Sequence, residues 1–171
     1  MVLTKEELIA ALRNEIRILL HLAGKVDPSK RDYRPTPKQR STLELLQYLA
    51  IMAPTEIAVI QGGVFDRPAL SAAFTPAEAR AKTLSFEQAL AAIQQQADQF
   101  SQVLGGWTES DFRKEVDMFG SKTSRGAMLV NLVLCGFAAY RTQLFCYLKS
   151  CGREELSTVN LWAGVDSMAA A

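Results

Sequence analysis

Few residues in this chain could carry chemistry. His21 is its one histidine, and Cys135, Cys146 and Cys151 are its thiols. A Cys/His nucleophile would need His21 beside one of those three. A Ser/His/Asp triad would have to recruit the same imidazole, and there is no G-x-S-x-G turn to present its serine. No activating neighbour flanks the cysteines, and cysteines on a core helix are usually inert packing residues. His21 itself is expected to be a satisfied or half-exposed helix residue. The stretch Phe119-Gly-Ser-Lys-Thr-Ser124 has the look of a phosphate loop, but it lacks the first glycine of G-x-x-x-x-G-K-[ST], and Ser121 separates Gly120 from Lys122. It reads instead as a Ser/Thr-rich helix start, with Lys122 and Arg125 as the cations of a weak anion site.

Composition narrows the class of protein. The 171 residues are 49% hydrophobic and 22% charged with a formal charge of +1, which suits one globular domain over 1–171. So small a charge gives no steering toward nucleic acid or an acidic membrane. Residues 25–40 do carry six basic side chains, but Tyr33 is the one aromatic among them, so this is read as a solvated loop, not a nucleic-acid surface. Three cysteines without a C-x-x-C pair imply reduced thiols, and Lys5, Glu6 and Glu7 interrupt any leader-like apolar run. A cytoplasmic location is expected.

The elements that must position these groups are helical. Thr4-Lys-Glu-Glu7 is a capping box, with Leu3 and Leu8 as its staple, and Ile9, Leu12, Ile16, Leu19 and Ala23 then follow at helical spacing up to Gly24. Three prolines keep residues 25–38 irregular. Ser41-Thr-Leu-Glu44 opens a second helix that Pro54 should kink or break before Gly62-Gly63 ends it. A loop and a short extra helix starting at Thr75-Pro76 are expected next. Ser85 and Gln88 then cap a helix whose inner face is Phe86, Leu90, Ile93, Ala97, Phe100 and Leu104. Residues 107–121 read as irregular or as a small excursion. In the last long helix, from Ser124 to Gly152, Val130, Val133, Phe137, Tyr140, Leu144, Tyr147 and Cys151 alternate in steps of three and four. No charge occurs from Gly126 to Tyr140, so this helix is expected to be enclosed by neighbours on all sides, with Asn131 bonded across to one of them. The uncharged run is shorter than the roughly 20 residues a membrane span needs. Leu161 and Trp162 are available to dock, and the Ala-rich end should fray. The reading is an all-α four-helix bundle with a kinked second helix.

Two stretches resemble the DinB/YfiT-like superfamily of four-helix bundles. Residues 40–49, RSTLELLQYL, are similar to the family's S-x-x-E-L-L-x-H-L, and residues 140–152, YRTQLFCYLKSCG, to its H-x-x-x-H-R-x-Q-L-x-x-Y-L-x-x-x-G. The resemblance implies a metal site of one histidine from the second helix and two, four apart, from the last. It also implies metal-dependent hydrolase or thiol S-transferase chemistry, and a homodimer. Here Tyr48, Gly136 and Tyr140 stand at the three ligand positions, and a chain with a single histidine cannot build the triad.

Tyrosine replaces imidazole poorly, because a phenol gives up its proton only near pH 10. No metal and no cofactor are therefore expected. Glycine inside a helix costs about 1 kcal/mol against alanine, so Gly136 implies a close approach, and a tyrosine ring is expected to fill its notch. The sequence thus points to a DinB-like bundle without its histidine triad that binds a small molecule or a protein, as a homodimer, without contacting nucleic acid or membrane. The site is Tyr48, Gly136 and Tyr140, with His21, Glu44 and Arg141 as secondary members. Arg141 would pair with a carboxylate and Gln143 with a neighbouring backbone group. The alternative is an enzyme related to the family's transferases or hydrolases that works through a substituted site.

Overall fold

In chain order, the elements are α1 (Lys5–Ala23), a 3₁₀ turn at Pro28–Lys30, α2 (Thr42–Gly62), β1 (Val64–Phe65), α3 (Arg67–Ala81) and α4 (Phe86–Gly105). Then come α5 (Glu109–Arg113), β2 (Glu115–Met118), β3 (Ser121–Ser124), α6 (Arg125–Ser150) and α7 (Thr158–Ala163). The computed structural model describes residues 3–167, so the Ala-rich end lies outside the described residues.

The helix starts follow from local chemistry. Thr4, Ser41 and Ser85 each accept the N–H three residues on, and Glu7, Glu44 and Gln88 accept the cap residue's own N–H in return. Each box satisfies two of the donors that a helix start leaves free. The apolar spacing then sets the packing. Leu12, Ile16 and Leu19 of α1 meet Ile93, Phe100 and Leu104 of α4 and Leu45, Leu49 and Met52 of α2 in one buried cluster, which α6 completes with Val133, Phe137 and Leu144.

Proline 54 does not break α2, which runs continuously from Thr42 to Gly62 with Pro54 on its exposed side. Proline cannot donate to the carbonyl four residues back, here that of Ala50. Buried Gln96 of α4 donates its amide to that carbonyl at 3.0 Å and to Leu49 O at 2.9 Å. A side chain from another helix thus supplies the hydrogen bond that Pro54 removes.

Three expectations are corrected. The extra helix starts at Arg67, not near Thr75, because Asp66 caps it through the Ala69 N–H and Pro68 sits in its first turn; Pro76 lies inside it. Residues 107–121 are the small excursion and not an irregular stretch: α5 has its own capping box, Thr108 with Asp111, and β2 pairs antiparallel with β3 and parallel with β1. The turn between β2 and β3 is Phe119-Gly120, with φ of 52° and 83°, the backbone that a two-residue hairpin requires. Ser121–Ser124 is therefore a strand and not an anion loop, and Ser124 caps α6 through the Ala127 N–H.

The third correction concerns α6. It is not enclosed: it packs chiefly against α1 and α2, and Asn131, Cys135, Ala139, Thr142 and Cys146 are exposed. Hydropathy could not separate the faces, because the outward face carries no charge either. Asn131 borders a surface groove with Leu8, Phe112 and Val130 and forms no interhelical bond among the described residues. Both α2 and α6 are long and apolar enough to cross a membrane by length and composition, yet the apolar window is 56% buried within the bundle for α2 and 28% for α6. The middle of α6, Leu129–Leu134, is π-helical and ends just before Cys135 and Gly136; such widened turns often occur at functional sites.

Candidate functional site

The site is built where α2 faces the second half of α6. Tyr48 projects from α2 and Tyr140 from α6, and their rings meet edge to face with centroids 5.2 Å apart. Phe74 of α3 stacks on Tyr48 at 6.1 Å, and the Arg40 guanidinium lies 3.9 Å from the centre of the same ring. Aromatic and cation–π contacts of this kind each add roughly 0.5–1.5 kcal/mol beyond the area they bury. The ring of Tyr48 is thus held by Tyr140, Phe74 and Arg40 and is only partly exposed.

Gly136 lies one helical turn before Tyr140, and Met52 one turn after Tyr48. A Cβ at Gly136 would come within 3.3 Å of the Met52 methyl and 3.4 Å of its sulfur. The notch is therefore filled by a thioether, not by a tyrosine ring. Methionine suits the place, being unbranched and able to follow an irregular surface. Burial, reinforced by the Tyr140 phenol and the Glu56 carboxylate, pushes the Tyr48 phenol above its ordinary range. A phenolate is thus harder to form here than in water.

Glu56 is the residue that the sequence reading missed. It sits two turns beyond Tyr48 and is the one charge between Leu45 and Gly62, a signal that could have found it. Its Oε2 is sealed from solvent with no hydrogen-bond partner among the described residues, and burial pushes the carboxyl up to about 7. At neutral pH this side chain stands near the midpoint between acid and carboxylate.

The secondary members do not converge on this place. Glu44 accepts the Ser41 N–H at 2.7 Å and pairs with Arg34 at 3.2 Å, and the Ser41 bond is the main cause of its lowered pKa. It shares with Tyr48 the wall of a surface cleft of about 480 Å³, lined also by Arg40, Gln47, Glu78, Ala81 and Lys82. His21 belongs to the other side of the bundle, where α1 meets the C-terminal segment. There Asn160 accepts the Ser157 N–H at 2.8 Å, which turns its amide nitrogen toward His21 Nε2, 3.2 Å away. The imidazole nitrogen must accept that bond, in keeping with the lowered pKa that burial gives His21.

Arg141 is buried beside Glu15, 2.8 Å away, and donates to the Leu161 carbonyl. The carboxylate pairing expected of it is present. Gln143 is corrected: it donates to the Tyr147 hydroxyl at 2.6 Å, not to backbone, and Tyr147 in turn donates to the Arg40 carbonyl at 3.0 Å. Cys135 and Cys146 are exposed thiols rather than core packing.

No family model matches the sequence, and neither does any curated protein sequence. A solved structure does. The crystal structure of a DinB-like protein, YjoA from Bacillus subtilis, superimposes with a TM-score of 0.65 at 19% identity, covering 88% of this chain and 94% of that one. The fold is DinB-like. The two motif-bearing segments therefore stand in a DinB-like frame, with α2 and α6 side by side. Among the described residues of this DinB-like bundle, no three His, Cys, Asp or Glu side chains are grouped to hold a metal ion. Two phenols, that of Tyr48 with a raised cost of ionisation, and a glycine do not fit a transition-metal centre, and no chemical step is derived through one.

Proposed function

We propose that this DinB-like bundle works by binding, without the metal-dependent reaction that its fold resemblance suggests, and that its ligand is a small molecule taken up beside Tyr48. The observation that carries this reading is the packing at the three ligand positions. Two phenols meet edge to face at 5.2 Å, and Met52 occupies the space over Gly136. Rings and a thioether thus stand where an ion would have to be gripped, which supports the reading. The open volume lies instead on the far side of Tyr48, between α2 and the end of α3, and it falls within the size range of small-molecule sites.

Metal analysis of the untagged protein, purified without an affinity metal, tests the reading. The expected content is far below one equivalent of any transition metal. One tightly held equivalent of zinc, nickel or iron would defeat it.

A further inference from the structure

We propose that the α2/α3 cleft takes a small amino- or hydroxy-carboxylate, whose carboxylate is held between Arg40 and Lys82 and whose N–H or O–H is accepted by Glu78. The inference deepens the binding reading above and rests on it. The wall contains two cations and two anions, but they are not equally free. Glu44 is committed to its capping bond at 2.7 Å and to Arg34. Lys82 has no carboxylate partner among the described residues, and it stands at the end of α3 where the cleft opens.

Arg40 and Glu78 are only loosely joined. Their closest atoms are 3.7 Å apart and both side chains are about 40% exposed, so their mutual attraction is small and easily exchanged. A ligand carboxylate offers the planar guanidinium two parallel hydrogen bonds that Glu78 does not make at this distance. Once Arg40 turns to the ligand, Glu78 is left as a free acceptor on the same wall, which favours a molecule with a donor next to its carboxylate. The floor is already rigid, because buried Gln47 donates to the backbone carbonyls of Lys82 and Leu84 at 3.4 and 2.8 Å and so fixes the end of α3 to α2. Ala81 and the Tyr48 ring supply the apolar part of the lining.

The test is an amide-resolved NMR titration of the full chain at constant ionic strength, using L-glutamate, L-malate, glutarate, glycerol and inorganic phosphate as probes. Saturable shifts at Tyr48, Ala81 and Lys82 are expected from glutamate or malate, at least tenfold weaker ones from glutarate, and none from glycerol. Lys82→Gln and Arg40→Gln should each weaken the response about tenfold, while Lys122→Gln, on the hairpin, should leave it unchanged. Phosphate binding without carboxylate binding, or carboxylate shifts indifferent to both cleft variants, would overturn the proposal. A parallel thermal-shift screen with uncharged compounds separates the two levels. Stabilisation there, with silence toward every carboxylate, would overturn the ligand class and leave the binding reading standing; silence in both would remove both.

Discussion

Tyr140 and Arg141 are neighbours in sequence, yet they open onto two regions of α6 that handle polarity in opposite ways. Tyr140 faces α2, where rings and a thioether occupy the positions that the resemblance assigns to metal ligands. Arg141 faces α1 and the C-terminal segment, where a buried ion pair with Glu15 and a bond to the Leu161 carbonyl persist. The residues of the R-x-Q-L stretch are thus structural. Arg141 ties three elements together, and Gln143 and Tyr147 tie α6 to the chain before α2. The polar residues of the stretch and the aromatic residues beside them thus answer to different physics.

The largest expected effect lies on the Arg141 side. Arg141→Leu leaves Glu15 buried without its cation, and loss of one partner of a buried pair costs about 3–5 kcal/mol. Burial already pushes the Glu15 carboxyl up despite the opposing pull of Arg141, so the pair is held at a desolvation cost. Adding Glu15→Leu should recover most of the loss, as measured by urea unfolding of the two single variants and the double. If the single variant is as stable as the parent, the contrast drawn between the two regions fails.

On the tyrosine side the corresponding lever is Glu56. Its carboxyl keeps a proton up to about 7 in the folded protein against an ordinary 4.5. Folding therefore takes up a proton between those values: this contribution is complete below pH 4.5 and is lost as pH rises through 7. Glu56→Gln cannot ionise. It should match the parent at pH 4 and exceed it by about 3 kcal/mol above pH 8, visible as diverging unfolding midpoints across a pH series. A constant difference at all pH values would show that Glu56 is solvated.

Gly136→Ala should have the smallest effect. Alanine gains about 1 kcal/mol in helix propensity but brings its Cβ to 3.3 Å from the Met52 methyl. The end of a methionine can move by a few tenths of an ångström, so net stabilisation below 1 kcal/mol is expected in thermal unfolding. A clear loss of stability would mean that Met52 is held rigidly over the glycine.

Where spacing alone decides, the sequence was legible. The capping boxes at Thr4, Ser41 and Ser85, the buried stripe of α1 and that of α4 all follow from residues three or four apart. What escaped depends on partners distant in the chain. Gln96 carries α2 past Pro54 by bonding Ala50, 46 residues away, and β1 acquires strand character only by pairing with β2. The outward face of α6 was unreadable for a different reason: cysteine, alanine and threonine look alike to hydropathy whether they pack or face water. At the site, Tyr48, Gly136 and Tyr140 could be picked out from the motifs the chain resembles. Met52 and the sealed carboxyl of Glu56 needed the neighbouring helix to be in place.

The chain's own side chains meet between α2 and α6, and nuclear Overhauser contacts report that packing. Strong cross-peaks are predicted from the Met52 methyl to the Gly136 α-protons and between the Tyr48 and Tyr140 rings, at every pH where the protein is folded. Their absence, with the Tyr48 and Tyr140 ring protons seeing solvent instead of each other, would contradict the account.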